Sequence, residues 1–214
     1  MNGFLNKKMV KACVVSVLIC LILVAHGEAA VFYVDANGTN AMPPFADWST
    51  AATNIQDAVD ASAIGDLILV TNGIYQTGGR TADGAALTNR VVIDKAIRVQ
   101  SINGPEVTII EGYQVPGTTN TDSAVRCVYL TNSAVLVGFT LKGGGTVRSP
   151  FADKVKELSG GALWCESSNA IASNCVLIAN AAYWYGGGGY SGTLVNCTIR
   201  SNTVVNGHGG GGGA

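Results

Sequence analysis

The chain has 214 residues, enough for one or two ordinary domains, and 48% of them are hydrophobic, which is enough for a sizeable core. Only 13% are charged and the formal net charge is −1, which excludes a nucleic-acid-binding protein with a strongly basic surface and also an acidic disordered chain. The main excess in the composition is glycine, at 28 residues.

Residues 1–29 have the pattern of a signal peptide. Lysines precede an apolar run over residues 13–25, and small residues follow it. A membrane-spanning helix needs roughly 20 apolar residues, so this run is short for a permanent anchor, although an uncleaved anchor is the alternative. We expect cleavage after Ala29, with Gly27 as the second choice. Residues 30–214 are then secreted or displayed on the cell surface, with no further membrane span.

The first elements after the signal peptide are a strand over residues 31–34 and a helix over residues 51–63. Ser49 or Thr50 is expected to cap this helix, in which apolar residues recur near helical spacing. Several β-rich runs follow the helix and are separated by turn-forming pairs of residues. They predict strands over residues 67–71, 74–75, 90–94, 96–100 and 107–111.

The second half of the chain contains a repeat, because the segments 135–144, 171–180 and 193–202 align without gaps. Each copy alternates with a period of two, which predicts a short strand with one buried face, the face of Val135 and Val137 in the first copy. Equivalent positions are Phe139, Cys175 and Cys197 in one column and Gly144, Asn180 and Asn202 in another. The wider gap after the first copy indicates an inserted polar loop around residues 146–159.

Short strands that repeat about every two dozen residues, with glycine and asparagine turns between them, predict an all-β parallel β-helix. Its coils would stack about 4.8 Å apart, so that equivalent side chains form columns. The open end of such a solenoid exposes apolar side chains and unpaired backbone groups. We expect the helix over residues 51–63 to cover that end.

Two side-chain columns follow from this arrangement, one of cysteines and one of asparagines. Four cysteines lie outside the signal peptide: Cys127, Cys165, Cys175 and Cys197. We expect packed core thiols, with a disulfide as the alternative, because parallel neighbours in register have poor geometry for the bond. Asn180 and Asn202 are expected to adopt left-handed backbone at a bend and to stack as an amide ladder, with a polar ligand site as the alternative.

The run NIQDAVDASAIGDLILVTNGIYQTGG (residues 54–79), followed by RVVIDKAIRVQSINGPEVTIIEG (residues 90–112), resembles the start of secreted bacterial β-helix proteins of the pectin-lyase-like superfamily. More loosely, GGAL (residues 160–163) and the repeats are similar to those of polymorphic outer-membrane proteins. The first resemblance implies a right-handed parallel β-helix with an N-terminal capping helix. It implies little about activity, because the family includes polysaccharide lyases, hydrolases and adhesins.

Aromatic residues around a glycine cluster are the candidate binding residues. They are Tyr183, Trp184, Tyr185 and Tyr190. Aromatic faces with hydrogen-bonding tips suit sugars and protein partners. The alternative is that these rings pack over a corner of a coil and shield its core.

Catalytic residues cannot be assigned from the sequence. A polysaccharide lyase would need a Lys or Arg base beside a sugar carboxylate, often neutralised by Ca²⁺, but acidic residues do not recur in one column after Leu130. Lys142 and Arg200 share an outward column that Ile178 interrupts, and His208 lies in a glycine turn without partners. We therefore expect no metal site or cofactor, with calcium as the exception if the protein is a lyase.

The sequence thus predicts a single exported β-helix domain. The glycine cluster at residues 209–213 has the pattern of another coil's start, so we expect the β-helix to continue beyond residue 214 in the natural protein. The first hypothesis for function is a structural module that binds glycans or surface proteins. The alternative is a lyase or glycoside hydrolase that acts on an acidic polysaccharide, and nucleic acid is not an expected partner.

Overall fold

The computed structural model describes residues 28–206. Nearly all regular structure in this part is β-strand, and the strands form a parallel β-solenoid of about 4 turns with one short helix near the N-terminal end. The predicted fold class is therefore confirmed. Most of the predicted signal peptide, His208 and the last glycine cluster lie outside the described residues.

The strands are short, and most have two to four residues. In chain order they are β1 (Val31–Val34), β2 (Leu67–Val70), β3 (Gly73–Tyr75), β4 (Arg80–Thr81), β5 (Thr88–Ile93), β6 (Arg98–Ser101), β7 (Thr108–Glu111), β8 (Val125–Leu130), β9 (Val135–Val137), β10 (Thr140–Lys142), β11 (Leu163–Cys165), β12 (Ile171–Ser173), β13 (Val176–Ile178), β14 (Ala181–Ala182), β15 (Gly189–Tyr190), β16 (Thr193–Val195), β17 (Thr198–Arg200) and β18 (Thr203–Val204).

Each complete turn of the solenoid contributes one parallel strand to each of three sheets. The first sheet has the order β1-β2-β6-β9-β12-β16, the second β3-β7-β10-β13-β17 and the third β4-β5-β8-β11-β15. A small fourth sheet pairs β14 with β18. Among these sheets every pairing is parallel except that of β4 with β5. The repeat in the sequence therefore corresponds to stacked coils, as predicted.

The prediction of which residues face the core is wrong for the first strand of each repeat. Leu136 and Ala172 belong to the core, whereas Val135, at the start of the same strand as Leu136, is only partly buried. The reason is the residue at the bend between the first and second sheets, which has a positive φ of 80° at Gly138 and 51° at Asn174. This bend reverses which residues point inward, so Leu136 and Phe139 belong to the main core cluster. Val137 is buried, as predicted, but lies outside that cluster.

The asparagine ladder is present, although its backbone differs from the prediction. The left-handed residues are Ala179 (φ 55°) and Ser201 (φ 56°), each one position before the asparagine. The Asn202 Oδ1 accepts from the Asn180 backbone N–H at 3.0 Å and from its Nδ2 at 2.9 Å. The Asn180 Oδ1 in turn accepts from Gly144 N at 2.7 Å. The side-chain amides thus connect successive coils.

The cysteines in the described part carry free thiols, in agreement with the prediction. Cys127, Cys165 and Cys175 are buried, whereas Cys197 is only partly buried. Cys175 and Cys197 are neighbours in adjacent coils, since the residues that follow them, Val176 and Thr198, are paired in register. Their column is a packing feature of the core.

The helix is shorter than predicted and has a different cap. It is α1 (Ile55–Ala61), and the Asn54 side chain accepts from Asp57 N at its start. Ser49 and Thr50 instead lie in a 3₁₀ turn, Trp48–Thr50, whose N-cap is Asp47. The prediction failed because the Asp47 carboxylate is the better acceptor for these two backbone N–H groups, and the chain extends again before α1.

Helix α1 covers the N-terminal end of the solenoid core, as expected. Ile55, Ala58 and Val59 are buried in the same cluster as the strand residues. The Gln56 side chain completes the cover, because its Oε1 accepts from Val92 N at 2.7 Å and its Nε2 donates to Val92 O at 3.2 Å. One amide group therefore replaces the missing strand at this point of β5.

Candidate functional site

The inserted loop, residues 146–159, folds back over the outer face of the third sheet. Val92, Tyr129, Trp164 and Tyr190 form one outward column there, and the rings of Tyr129 and Trp164 stack with centroids 4.9 Å apart. The Trp164 Nε1 donates to Val155 O of the loop at 2.8 Å. The aromatic column therefore supports the loop from below.

A fully buried arginine holds the end of this loop. Arg126 donates to the backbone oxygens of Lys156 at 2.6 Å, Ser159 at 2.8 Å and Gly160 at 2.8 Å, and also to Asn89 Oδ1 at 2.9 Å. Burial lowers the pKa of Arg126 to about 9. Because all four of these partners are acceptors, the guanidinium stays protonated at neutral pH and fixes the loop to the coil.

The four predicted aromatic residues lie in one continuous set of ring contacts. The ring centroid of Trp184 is 6.4 Å from that of Tyr183 and 6.0 Å from that of Tyr185. The centroids of Tyr185 and Tyr190 are 6.2 Å apart. Their roles differ, however. Tyr183 and Trp184 pack at the edge of a small cluster beneath the loop, whereas Tyr190 packs against the aromatic column of the third sheet. The packing alternative therefore describes Tyr190 well.

An open cleft of about 370 Å³ lies between the inserted loop and the rings of Tyr183 and Trp184. Its lining residues are Arg148, Ser149, Pro150, Lys154, Leu158, Tyr183, Trp184 and Asn206. The Trp184 backbone N–H donates to Leu158 O at 2.8 Å, which fixes one wall against the loop. We call this feature the loop cleft, and it contains Tyr183 and Trp184 but neither Tyr185 nor Tyr190.

Two cations of the loop cleft lie over its aromatic rings. The Arg148 guanidinium carbon is 5.5 Å from the centroid of the Tyr183 ring, and Lys154 Nζ is 4.8 Å from that of Trp184. Sequence reasoning missed both cations because the inserted loop has no periodicity that would place its side chains. In the sequence, the only indication of these cations is that the loop contains basic residues.

A second cleft, of about 250 Å³, lies on the third sheet and is lined mainly by polar and charged residues. Asp94, Thr131 and Glu166 occupy one column in it, because they follow the paired residues at the ends of β5, β8 and β11. The sequence search missed this column because it considered acidic residues only after Leu130. Lys156 also lines this cleft.

The charges of the second cleft largely satisfy one another. Arg80 pairs with Asp94 and, at 2.8 Å, with Asp60. Glu166 accepts from the Tyr129 hydroxyl at 2.6 Å and from the Thr131 hydroxyl at 2.5 Å. Burial alone would raise the pKa of Glu166, but these hydrogen bonds outweigh it and lower the pKa. Glu166 is therefore a carboxylate at neutral pH and unsuited to act as a general acid.

Within residues 28–206, no group of three or more His, Cys, Asp or Glu side chains could hold a metal ion. No helix in this part is long and apolar enough to cross a membrane. Comparisons of the chain with protein-family models, with curated proteins and with solved structures give no match.

Proposed function

We propose that the chain is an exported β-solenoid module, secreted or displayed on the cell surface, that serves as a structural element and binds glycans or surface proteins. The loop cleft is the observation that carries this proposal. Its volume of about 370 Å³ falls in the range of ligand sites, and it combines apolar walls with a few polar groups.

The support around the cleft also favours binding. The stacked coils, the buried Arg126 and the aromatic column hold the inserted loop in place. A site on a rigid scaffold loses little conformational entropy when it binds a ligand. Tyr183 and Trp184 add amphipathic rings of the kind that contact sugars and protein partners.

We also infer that the solenoid is right-handed and belongs to the pectin-lyase-like superfamily. The support is the segment with the quoted motifs, which forms the short helix α1 and the strands β2, β3, β5, β6 and β7 in the order that the resemblance implies. The same resemblance supports export, which fits a signal peptide over residues 1–29.

A glycan array, probed with the full chain, tests the binding proposal, and fractionation of producing cells tests export. We expect binding to at least one glycan class, reduced by Trp184→Ala but retained by Trp48→Ala. Trp48 is a matched control because it is also partly exposed but packs on Tyr33 near β1, away from the loop cleft. Absence of binding to all glycans and to surface proteins of the producing cell would refute the proposal.

A polysaccharide lyase or hydrolase is the second candidate function, and the second cleft favours it. Arg80, Asp94, Lys156 and Glu166 come together there from adjacent coils and the inserted loop. The test is release of unsaturated uronides or new reducing ends from pectin and alginate, with and without calcium. Turnover that Glu166→Gln abolishes would replace the binding proposal with an enzymatic one.

A further inference from the structure

We propose that the tip of the inserted loop attaches the module to an anionic phospholipid surface. Phe151 enters the headgroup region of the bilayer, and Arg148 and Lys154 contact lipid phosphates. This attachment is separate from the binding function proposed above and uses the outside of the loop. The first observation is Phe151, whose side chain is 96% exposed, the highest value among the large hydrophobic residues of the described part.

A tight turn holds Phe151 at the tip. Ala152 N donates to Ser149 O at 3.3 Å, and Phe151 N donates to Ser149 Oγ at 3.3 Å. Pro150 occupies the second position of this turn, where its fixed φ is favourable. The ring is therefore held in water by the local backbone. Burying it against another surface removes apolar area from water, which is favourable.

Two cations flank the tip, three residues before and three after Phe151. Arg148 and Lys154 are exposed, and neither forms an ion pair with an acidic residue of the described part. The Tyr183 and Trp184 rings beneath them restrict these side chains without neutralising their charge. An anionic bilayer attracts each Lys or Arg that lies near its surface.

The carboxylates near the tip leave this basic side open. Asp153 uses one carboxylate oxygen to accept two backbone N–H groups of the loop. Glu157 is buried and accepts from Leu87 N at 3.2 Å. Asp122 is exposed, but it lines a different cleft, which Phe151 also borders. The side of the tip with Arg148 is therefore the side that suits an anionic surface.

The size of the apolar tip favours a lipid surface over a protein partner. A stable protein interface buries about 1,200–2,000 Å², whereas one aromatic side chain buries about 150–250 Å². A bilayer needs no complementary apolar groove, because its acyl chains and phosphates lie within a few ångströms of each other. Tyr183 and Trp184 are also rings of the kind that are enriched at membrane–water interfaces.

The experiment is hydrogen exchange of the full chain, titrated with lipid vesicles and read at the loop tip. The readout is local because the apolar run over residues 13–25 can itself bind lipid. Vesicles of phosphatidylcholine are compared with vesicles that also contain about one-third phosphatidylglycerol. We expect the anionic vesicles to slow exchange over residues 150–155. Neutral vesicles should need at least about 10-fold more lipid for the same protection, and high salt should weaken the anionic effect.

Matched variants connect the protection to the tip. Phe151→Ser should raise the lipid concentration for half-protection by about 10-fold, and Arg148→Ala and Lys154→Ala by about 5-fold each. Ile64→Ser and Arg98→Ala are the controls and should leave it unchanged. Ile64 is also an exposed hydrophobic residue, between α1 and β2, and Arg98 is an exposed arginine of β6.

Several results would overturn the proposal while the binding function stands. They are equal protection by neutral vesicles, an unchanged midpoint for Phe151→Ser, and lipid binding that leaves the loop tip unprotected. Protection by inorganic phosphate alone would assign a free anion instead of a lipid. Protection by poly-glutamate but not by vesicles would assign an acidic protein. The glycan array tests the binding function separately, so failure of one proposal is distinguishable from failure of the other.

Discussion

At the scale of single residues, the cysteine column has a clear chemical asymmetry. The neighbouring Cys175 thiol lowers the pKa of Cys197. The same neighbour relation, together with burial, raises the pKa of Cys175. Burial also raises the pKa of Cys127 and of Cys165, each to about 12. Since the thiolate is the reactive form, Cys197 is expected to be the most reactive of these four thiols.

We therefore predict that iodoacetamide at neutral pH modifies Cys197 in the folded chain well before the other three cysteines. Peptide mass spectrometry after brief labelling measures the order of modification, and Cys197→Ser is the control that should remove the fast phase. Early labelling of Cys127, which is buried, would contradict the prediction. An unlabelled pair with the mass of a Cys175–Cys197 disulfide would favour the alternative considered from the sequence.

Glu166 gives a pH-dependent prediction at the same scale. Its folded-state pKa is lower than the ordinary 4.5, so its stabilising effect is complete above that value and is lost as the pH falls through the folded-state pKa. Glu166→Gln should lower the free energy of unfolding by about 0.5–1 kcal/mol at pH 7, because the side chain is exposed and solvent weakens its interactions. The measurement is urea unfolding at pH 7 and at a series of acidic pH values, over which the difference should shrink as Glu166 becomes protonated. A difference that grew on acidification would have the wrong sign.

At the scale of elements, the two asparagine positions of a coil have separate physical functions. Asn174 occupies the bend between the first and second sheets with a positive φ, whereas Asn180 uses its amide to bond the coil on each side. We predict that Asn180→Ala lowers the free energy of unfolding by about 3 kcal/mol, because it leaves buried backbone groups without partners. Asn174→Gly should change it by less than about 0.5 kcal/mol, since glycine adopts the same backbone conformation.

Thermal or urea unfolding of the two variants provides the measurement, and both substitutions lie in the same coil. Equal decreases in the free energy of unfolding would show that the two asparagines do not differ in function. A destabilised Asn174→Gly beside an unchanged Asn180→Ala would reverse the assignment of functions.

The same bend explains what the sequence could and could not predict about the elements. Columns such as Cys175 over Cys197 were predictable, because equivalent residues of stacked coils must align. The inward face was not, since one residue of positive φ, glycine in one coil and asparagine in the next two, interrupts the alternation without changing the spacing. The loop cleft was predicted only by its aromatic residues. Arg148 and Lys154 depend on how a loop without periodicity folds over the third sheet.

At the scale of the whole molecule, cohesion is local, since each coil contacts mainly the coil before and the coil after it. Leu141, Leu177 and Ile199 form one inward column, in register through β10, β13 and β17. Leu141 is fully buried between two coils, whereas Ile199 is partly exposed in the last described coil. Truncation to alanine should therefore lower the free energy of unfolding more at Leu141 than at Ile199, and should affect different sets of strands.

We predict that Leu141→Ala lowers the free energy of unfolding by about 3 kcal/mol and Ile199→Ala by about 1 kcal/mol, because a partly exposed side chain leaves a smaller cavity. Hydrogen exchange measures the reach of each change. Leu141→Ala should speed exchange in β7, β10 and β13, on both sides of the cavity, while Ile199→Ala should affect only β13, β17 and β18. Faster exchange throughout the described chain for Ile199→Ala would mean that the solenoid unfolds as one cooperative unit, and nearest-neighbour cohesion would then be wrong.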